Sequence, residues 1–292
     1  MTLPRLALSV VGDEIGPSLA EMISFCKEHD IRRLDMRTVD RRNLLGMKID
    51  EVNAIATTLE AASIEVPTYV SPILKWPRRK PKVGQPLPEK VDFAFDPDDC
   101  PAEDPIAYAF DVAIVLRAQR VRTFSFLRYP NFVPKHLDQA VAQMTSYGHL
   151  FDMPVELENE PVCNIGTIAE LARFFAHVND REEPPKHLRP LIDIANSWAM
   201  GAPPSEEDIA YLAPMVDALH LKDRDLTTNR SVPLGDGDIP WSDLLLKLLS
   251  KVEVPEVLAT IETHCFDNGR EATARSIHAL RRIAKEIGVE LV

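Results

Sequence analysis

Eight short runs rich in aliphatic and β-branched residues recur along the chain, and a stretch of helical periodicity follows each of them. The runs are "RLALSVV" (5–11), "RRLDMR" (32–37), "EVPTYVS" (65–71), "RVRTFSF" (120–126), "PVELEN" (154–159), "PLIDIA" (190–195), "ALHLKD" (218–223) and "EVLATIETH" (256–264). Such strict alternation predicts an α/β fold of the (β/α)8 TIM barrel type, with all strands parallel. An open sheet of Rossmann type is disfavoured, because no GxGxxG follows the first strand. A single barrel domain accounts for residues 1–292. The rhythm breaks once, at the proline- and charge-rich residues 72–104, which are expected to form a long lid-like connection.

The fifth run continues as "VELENEP", placing Glu156, Glu158 and Glu160 on one face of a strand. A parallel sheet is covered on both faces, so these carboxylates need a reason. In a barrel the reacting groups sit where strands end at the C-terminal rim. The last inward residues of the four late strands are Glu158, Asp193, His220 and Glu262, each flanked by apolar residues that would face the helices. Three carboxylates cannot all ionise in a dry cleft without a cation among them. One divalent metal ion held by these four residues resolves the conflict. Oxygen ligands with a single imidazole favour Mn2+, Mg2+ or Co2+, with Zn2+ as a further candidate.

Neighbouring residues carry more than one reading. Glu156 is expected to form a structural ion pair with Arg122 of the fourth strand. Lys222 and Asp223 either reach substrate oxygens or pair with each other, the pair being favoured. His264 either touches substrate or supports Glu262. Asn196 is equally a helix cap or a ligand, and Asp238 and Asp50 read as helix caps. Ser205, followed by Glu206–Asp208, also marks a helix start. Glu160 is placed at the rim, in reach of substrate. Beyond the third strand "LKWPRRKPK" gathers Lys75, Arg78, Arg79, Lys80 and Lys82. That segment is either a solvated loop or a clamp for an anionic substrate, with Lys75 nearest the strand end.

Several motifs, taken in order, make the chain resemble the xylose isomerase-like barrel superfamily, in the sugar-phosphate isomerase/epimerase branch that includes D-tagatose 3-epimerase and inosose dehydratase relatives. They are "DEIGPSL", "LDMRTVDRRNLLGM", "SPILK", "VRTFSF", "LENEP", "IDIAN", "HLKD", "VPLGDGDIPW" and "IETH". The resemblance implies the same four metal ligands, with Glu158 and Glu262 also moving protons. Asp35 stands where relatives commonly show glutamate and is expected to contact a substrate hydroxyl. The implied reaction is metal-dependent isomerisation or epimerisation of a sugar, a sugar phosphate or another ketose derivative. A lyase of the inosose dehydratase type is the alternative. An apurinic-site endonuclease would need histidines on the early strands, and the second and third runs have none. A metal-free binding barrel would have lost a ligand, and all four are present.

A net charge of −12 disfavours nucleic acid as a partner, leaving a small sugar-like molecule. No apolar run is long enough to span a membrane. Four cysteines without CxxC spacing read as free thiols, which suggests a cytoplasmic protein. Self-association into a homo-oligomer is left open.

Overall fold

The computed structural model describes residues 3–79 and 95–292. The barrel strands are β1 (Arg5–Val11), β2 (Leu34–Asp35), β3 (Thr68–Ile73), β4 (Arg120–Thr123), β5 (Val155–Glu158), β6 (Leu188–Asp193), β7 (Ala218–Leu221) and β8 (Glu256–Ile261). They lie side by side in the order β2-β1-β8-β7-β6-β5-β4-β3, every neighbouring pair parallel. Parallel bridges Arg33–Glu65 and Met36–Tyr69 join β2 to β3 and close the ring. The chain therefore folds as the expected (β/α)8 barrel. Around it run α1 (Leu19–His29), α2 (Ile49–Ala61), α3 (Pro105–Leu116), α4 (Asp138–Phe151), α5 (Ile168–Asn179), α6 (Glu206–Leu212), α7 (Trp241–Leu249) and α8 (Gly269–Glu286).

Alternation along each strand sorts the core into two parts. Leu6, Leu8 and Val10 of β1, with Val257, Ala259 and Ile261 of β8, belong to the large cluster between barrel wall and helices. Helices supply its other side at three- and four-residue spacing, as α5 does with Ile168, Leu171, Phe174, Phe175 and Val178. Each such side chain contributes roughly 1.5–3 kcal/mol on burial. Ala7, Leu191, Ala218 and Leu258 point the other way and form a small apolar cluster inside the barrel. Polar residues fill the barrel above it, toward the strand ends.

Local chemistry explains where the strands depart from expectation. Pro67 has no N–H to offer a ladder, and β3 starts at Thr68 instead of residue 65. It runs on to Ile73, through Pro72 and a shift of register against β4, so the long connection begins at Leu74. Leu74 takes a left-handed conformation, φ 61°, which turns the chain before Lys75. The second run keeps only two ladder residues before a hairpin of Thr38–Val39 with Arg42–Asn43. Ser205 caps α6 as expected, accepting from Asp208 N at 3.1 Å. Asp50 is no cap: α2 starts after Lys48, whose N–H donates to Glu51. Residues 80–94, with Lys80 and Lys82, lie outside the described part of the connection. Among the described residues no helix is long and apolar enough to cross a membrane.

Candidate metal centre

Strand ends bring Glu158, Asp193, His220 and Glu262 together at the C-terminal rim, all fully buried. One ligand-type atom from each lies within 4.8 Å of the others. Each carboxylate spends one oxygen on the protein and turns the second inward. Glu158 Oε2 accepts from Arg122 Nη1 at 2.9 Å, leaving Oε1 at 2.9 Å from His220 Nδ1. Glu262 Oε1 accepts from Arg37 Nη1 at 2.8 Å, leaving Oε2 at 3.1 Å from His220 Nδ1. Asp193 Oδ1 accepts from Asn196 N at 2.9 Å and so caps the short helix Ile194–Ala199. Its Oδ2 has no hydrogen bond, although Lys222 Nζ lies 2.6 Å away.

This donor set fits a divalent ion. Ligands about 2.1 Å from a metal stand roughly 3 Å from each other when adjacent and about 4.2 Å when opposite. The spacings of His220 Nδ1 from Glu158 Oε1, 2.9 Å, and from Glu262 Oε2, 3.1 Å, are those of adjacent ligands. Asp193 Oδ2 supplies an inward-facing oxygen whose charged neighbour is the Lys222 ammonium at 2.6 Å, without hydrogen-bond geometry between them.

Electrostatics keep Glu158 and Glu262 ionised without a metal, whereas burial, opposed by Lys222, raises the Asp193 carboxyl. Burial opposes the charge of Glu158, but His220 and Arg122 outweigh it and hold the carboxyl at about 2. Burial opposes the charge of Glu262 too, and His264, Lys222 and His220 bring it well below the usual carboxylate range. Against its own burial, the carboxylates of Glu158 and Glu262 push His220 up to about 10. Lys222 is likewise raised, its burial outweighed by Asp193 and Glu262.

Several residues sit differently from the sequence reading. Arg122 does not pair with Glu156, although their Cα atoms are opposite in the β4–β5 ladder. Long side chains lean toward the strand ends, so Arg122 reaches Glu158 and Arg120, two residues back, takes Glu156 at 3.1 Å. Glu156 lies deeper, where burial, opposed by Arg120, pushes its carboxyl up to about 8. Lys222 and Asp223 do not pair, because successive strand residues face opposite sides. Lys222 points into the barrel, 3.5 Å from Glu262. Asp223 points away and accepts from the amides of Arg224, Gly235 and Ile239, which shapes the "PLGDGDIPW" loop. Gly237 is required there: a Cβ would lie 2.3 Å from Asp223 Oδ1 and 2.4 Å from Arg224 O. Asp238 caps no helix but accepts from Leu226 N. Asn196 is neither cap nor ligand; its Nδ2 donates to Asn159 O.

Asp35 also departs from expectation. It is fully buried, and the hydroxyls it meets are those of Ser9 at 3.1 Å and Thr260 at 2.6 Å, with Thr68 N completing its set. Glu160 lies 3.6 Å from Lys75 Nζ, and Lys75 is itself buried against Phe124. Arg78 and Arg79 are exposed, Arg78 lying over the Tyr129 ring. His264, at φ 52°, folds its ring back so that Nε2 is 3.4 Å from Glu262 Oε1.

Four residues of the rim went unread in the sequence. Arg37 joins Glu262 to Asp13 and Glu14. Glu14 accepts from Thr263 Oγ1 and His264 N, both at 2.8 Å. Asn159 ties β5 to β6 through Asp193 N and O. Strand parity pointed to Arg37, two residues beyond inward Asp35, and "DE" after the first strand falls on the same rim.

Related proteins share this architecture. IOLI protein, in a crystal structure with a zinc atom, is 14% identical over 97% of this chain and 99% of its own, with a TM-score of 0.69. A xylose isomerase-like TIM barrel protein from Mycobacterium smegmatis, in complex with magnesium, is 14% identical over 98% of both chains, with a TM-score of 0.63. D-psicose 3-epimerase, solved in the presence of D-fructose, is 11% identical over 96% of this chain and 99% of its own, with a TM-score of 0.65. Identities this low speak for the fold alone. No curated protein matches the sequence. The family model for the xylose isomerase-like TIM barrel matches residues 122–283, which carry all four residues of the centre. The chain belongs to the xylose isomerase-like TIM barrel family.

Proposed function

We propose that this barrel is a divalent-metal-dependent isomerase or epimerase of a ketose-like sugar or sugar derivative. The observation that carries the reading is the convergence of Glu158 Oε1, Glu262 Oε2, Asp193 Oδ2 and His220 Nδ1, each held by a partner on its other side or by its strand. Those four atoms would hold Mn2+, Mg2+, Co2+ or Zn2+, which polarises a carbonyl and acidifies the adjacent C–H. Structural neighbours crystallised with zinc or magnesium, and one with a ketohexose, support the reading.

The chain's own groups supply the rest. Glu158 and Glu262 are ionised at neutral pH, so one can take the proton beside the carbonyl and the other, once protonated, can return one. Lys222 and the Lys75–Glu160 pair offer contacts to substrate oxygens, and His264 sits beside Glu262 at the same rim. Arg78 and Arg79, exposed beyond β3, suit an anionic group on the substrate.

One observation favours a lyase as the second reading. Lys222 carries a held proton at the centre, between Asp193 and Glu262, and an ammonium there can protonate a departing hydroxyl. In D2O, a ketose panel with Mn2+ separates the cases. Epimerisation or isomerisation by proton transfer places deuterium on the carbon beside the carbonyl, whereas elimination yields a dehydrated product. Product without solvent label points to hydride transfer between carbons. Asp193→Ala and His220→Ala should each lose stoichiometric Mn2+ after dialysis; metal content unchanged in both would overturn the reading.

A further inference from the structure

A second set of ligand-type atoms adjoins the first. Glu14, Glu262 and His264 also bring one donor atom each within 4.8 Å of one another. Glu262 belongs to both sets, with Oε2 facing His220 and Oε1 facing the Glu14 side. A carboxylate shared in this way is how proteins bridge two ions, which then sit about 3.5–4 Å apart.

Here a side chain occupies that ground. Arg37 is buried, and its Nη1 lies 2.8 Å from Glu262 Oε1 while Nη2 lies 3.0 Å from Glu14 Oε1. Asp13 closes the third side, with both oxygens 3.0 Å from Nε. The guanidinium thus uses the same oxygens that a second ion would need. The Glu14 side is rigid, because Oε2 is fixed by Thr263 Oγ1 and His264 N. Gly269 at the start of α8 lets the Glu14 backbone come this close, since a Cβ there would stand 2.0 Å from Glu14 O.

We propose that Arg37 is a resident cation standing where a second divalent ion would sit, and that it holds the centre to one ion per chain. It also commits Glu262 Oε1 to the protein, leaving Oε2 alone for the first ion. Arginine suits this task because its charge cannot dissociate and its planar fork spans three carboxylates. The inference rests on the metal centre proposed above.

The test counts ions. Chelator-stripped wild type, Arg37→Met, Arg37→Lys and the double variant Arg37→Met/Glu14→Gln are titrated with Mn2+ alone, dialysed and assayed for metal content. One ion per chain is expected for wild type, two for Arg37→Met, one for Arg37→Lys and one for the double variant. Electron paramagnetic resonance should show an exchange-coupled Mn2+ pair in Arg37→Met only, because Glu262 would bridge the ions. If Arg37→Met unfolds when stripped, Mn2+ should restore the fold by replacing the lost charge. A folded Arg37→Met that keeps a single ion overturns the proposal, as does a wild type that binds two. A variant that Mn2+ fails to refold overturns it as well. A wild type with none, beside an Arg37→Met with one lost again on Glu14→Gln, sinks the proposed metal centre and leaves the role of Arg37 standing.

Discussion

Arg122→Met should separate the stability of the empty centre from that of the loaded one. The guanidinium lies 2.9 Å from Glu158 and 3.6 Å from Glu262, fully enclosed. At an effective dielectric of ~20 these separations correspond to gross attractions of about 6 and 5 kcal/mol. The cost of taking the guanidinium out of water offsets much of that, and losing one partner of a buried pair costs roughly 3–5 kcal/mol net. Each kcal/mol moves the melting temperature of a large domain by about 2–4 °C, so chelated Arg122→Met should melt ~6–20 °C below wild type. A divalent ion changes the sign of part of this effect. With one positive charge fewer beside Glu158 and Glu262, Mn2+ should bind at least ~10-fold more tightly, which recovers at least ~1.4 kcal/mol at saturation. Scanning calorimetry of both proteins, chelated and then saturated with Mn2+, reads the difference directly. Equal losses in the two states would refute the reasoning, because Arg122 would then act only by packing.

Titration of the chelated protein should follow the groups at the centre. His220, raised from 6.5 to about 10, contributes stability that is full below pH 6.5 and lost as the pH climbs through 10. Glu158, lowered from 4.5 to about 2, contributes above pH 4.5 and is lost as the pH falls through 2, while Glu156, raised to about 8, adds to the alkaline loss. Melting temperatures of the chelated protein should therefore be higher near pH 5–6 than at pH 3 or pH 9, and a flat profile contradicts this assignment. Mn2+ affinity should run the other way on the alkaline side, rising up to about tenfold per pH unit below pH 10 as the ring gives up its proton; isothermal titration in two buffers of different ionisation enthalpy would count that proton. Glu156→Gln should change the melting temperature at pH 7 by less than Glu158→Gln, because the deeper carboxyl is already largely protonated. Gly237→Ala should cost roughly 2 kcal/mol or more by prising Asp223 off its three amides, and proteolysis within residues 224–240 should report it.

Period and parity made much of this molecule legible. Eight alternations point to the barrel, and the last inward residue of each late strand gives Glu158, Asp193, His220 and Glu262, four side chains that the fold brings together at the rim. The same rule reached its limit one step on. Adjacency in sequence favours a Lys222–Asp223 pair over substrate contact, although neighbours on a strand face opposite sides. Pairing Arg122 with Glu156, on the ground that each needs a buried partner, ignores the length of a guanidinium and its lean toward the strand end. Family position points Asp35 to a substrate hydroxyl, but in the fold Ser9 and Thr260 supply the hydroxyls it meets. Arg37, Glu14 and His264 meet through the closure of β1 on β8 and β2, a contact across the barrel that spacing along the chain does not contain.

The question raised by a buried strand carrying carboxylates can then be answered by charge. Among the described residues, Asp13, Glu14, Glu158, Asp193 and Glu262 bring five carboxylates to the rim network, while Arg37, Arg122 and Lys222 bring three fixed cations. Two negative charges remain, in surroundings where unbalanced charge is costly. Protonating His220 would cancel one of them, and one divalent ion with that ring neutral would cancel both. Metal and the His220 proton therefore compete for the same deficit. A second divalent ion would leave an excess of two positive charges unless a fixed cation departed, which is why Arg37 and a second ion exclude each other. Replacing Arg37 by a neutral side chain leaves one negative charge uncompensated beside the first ion, a deficit that a second ion can fill with the help of its own bound hydroxide. On this proposal Arg37, the fixed cation between Glu262 and Glu14, sets the number of ions.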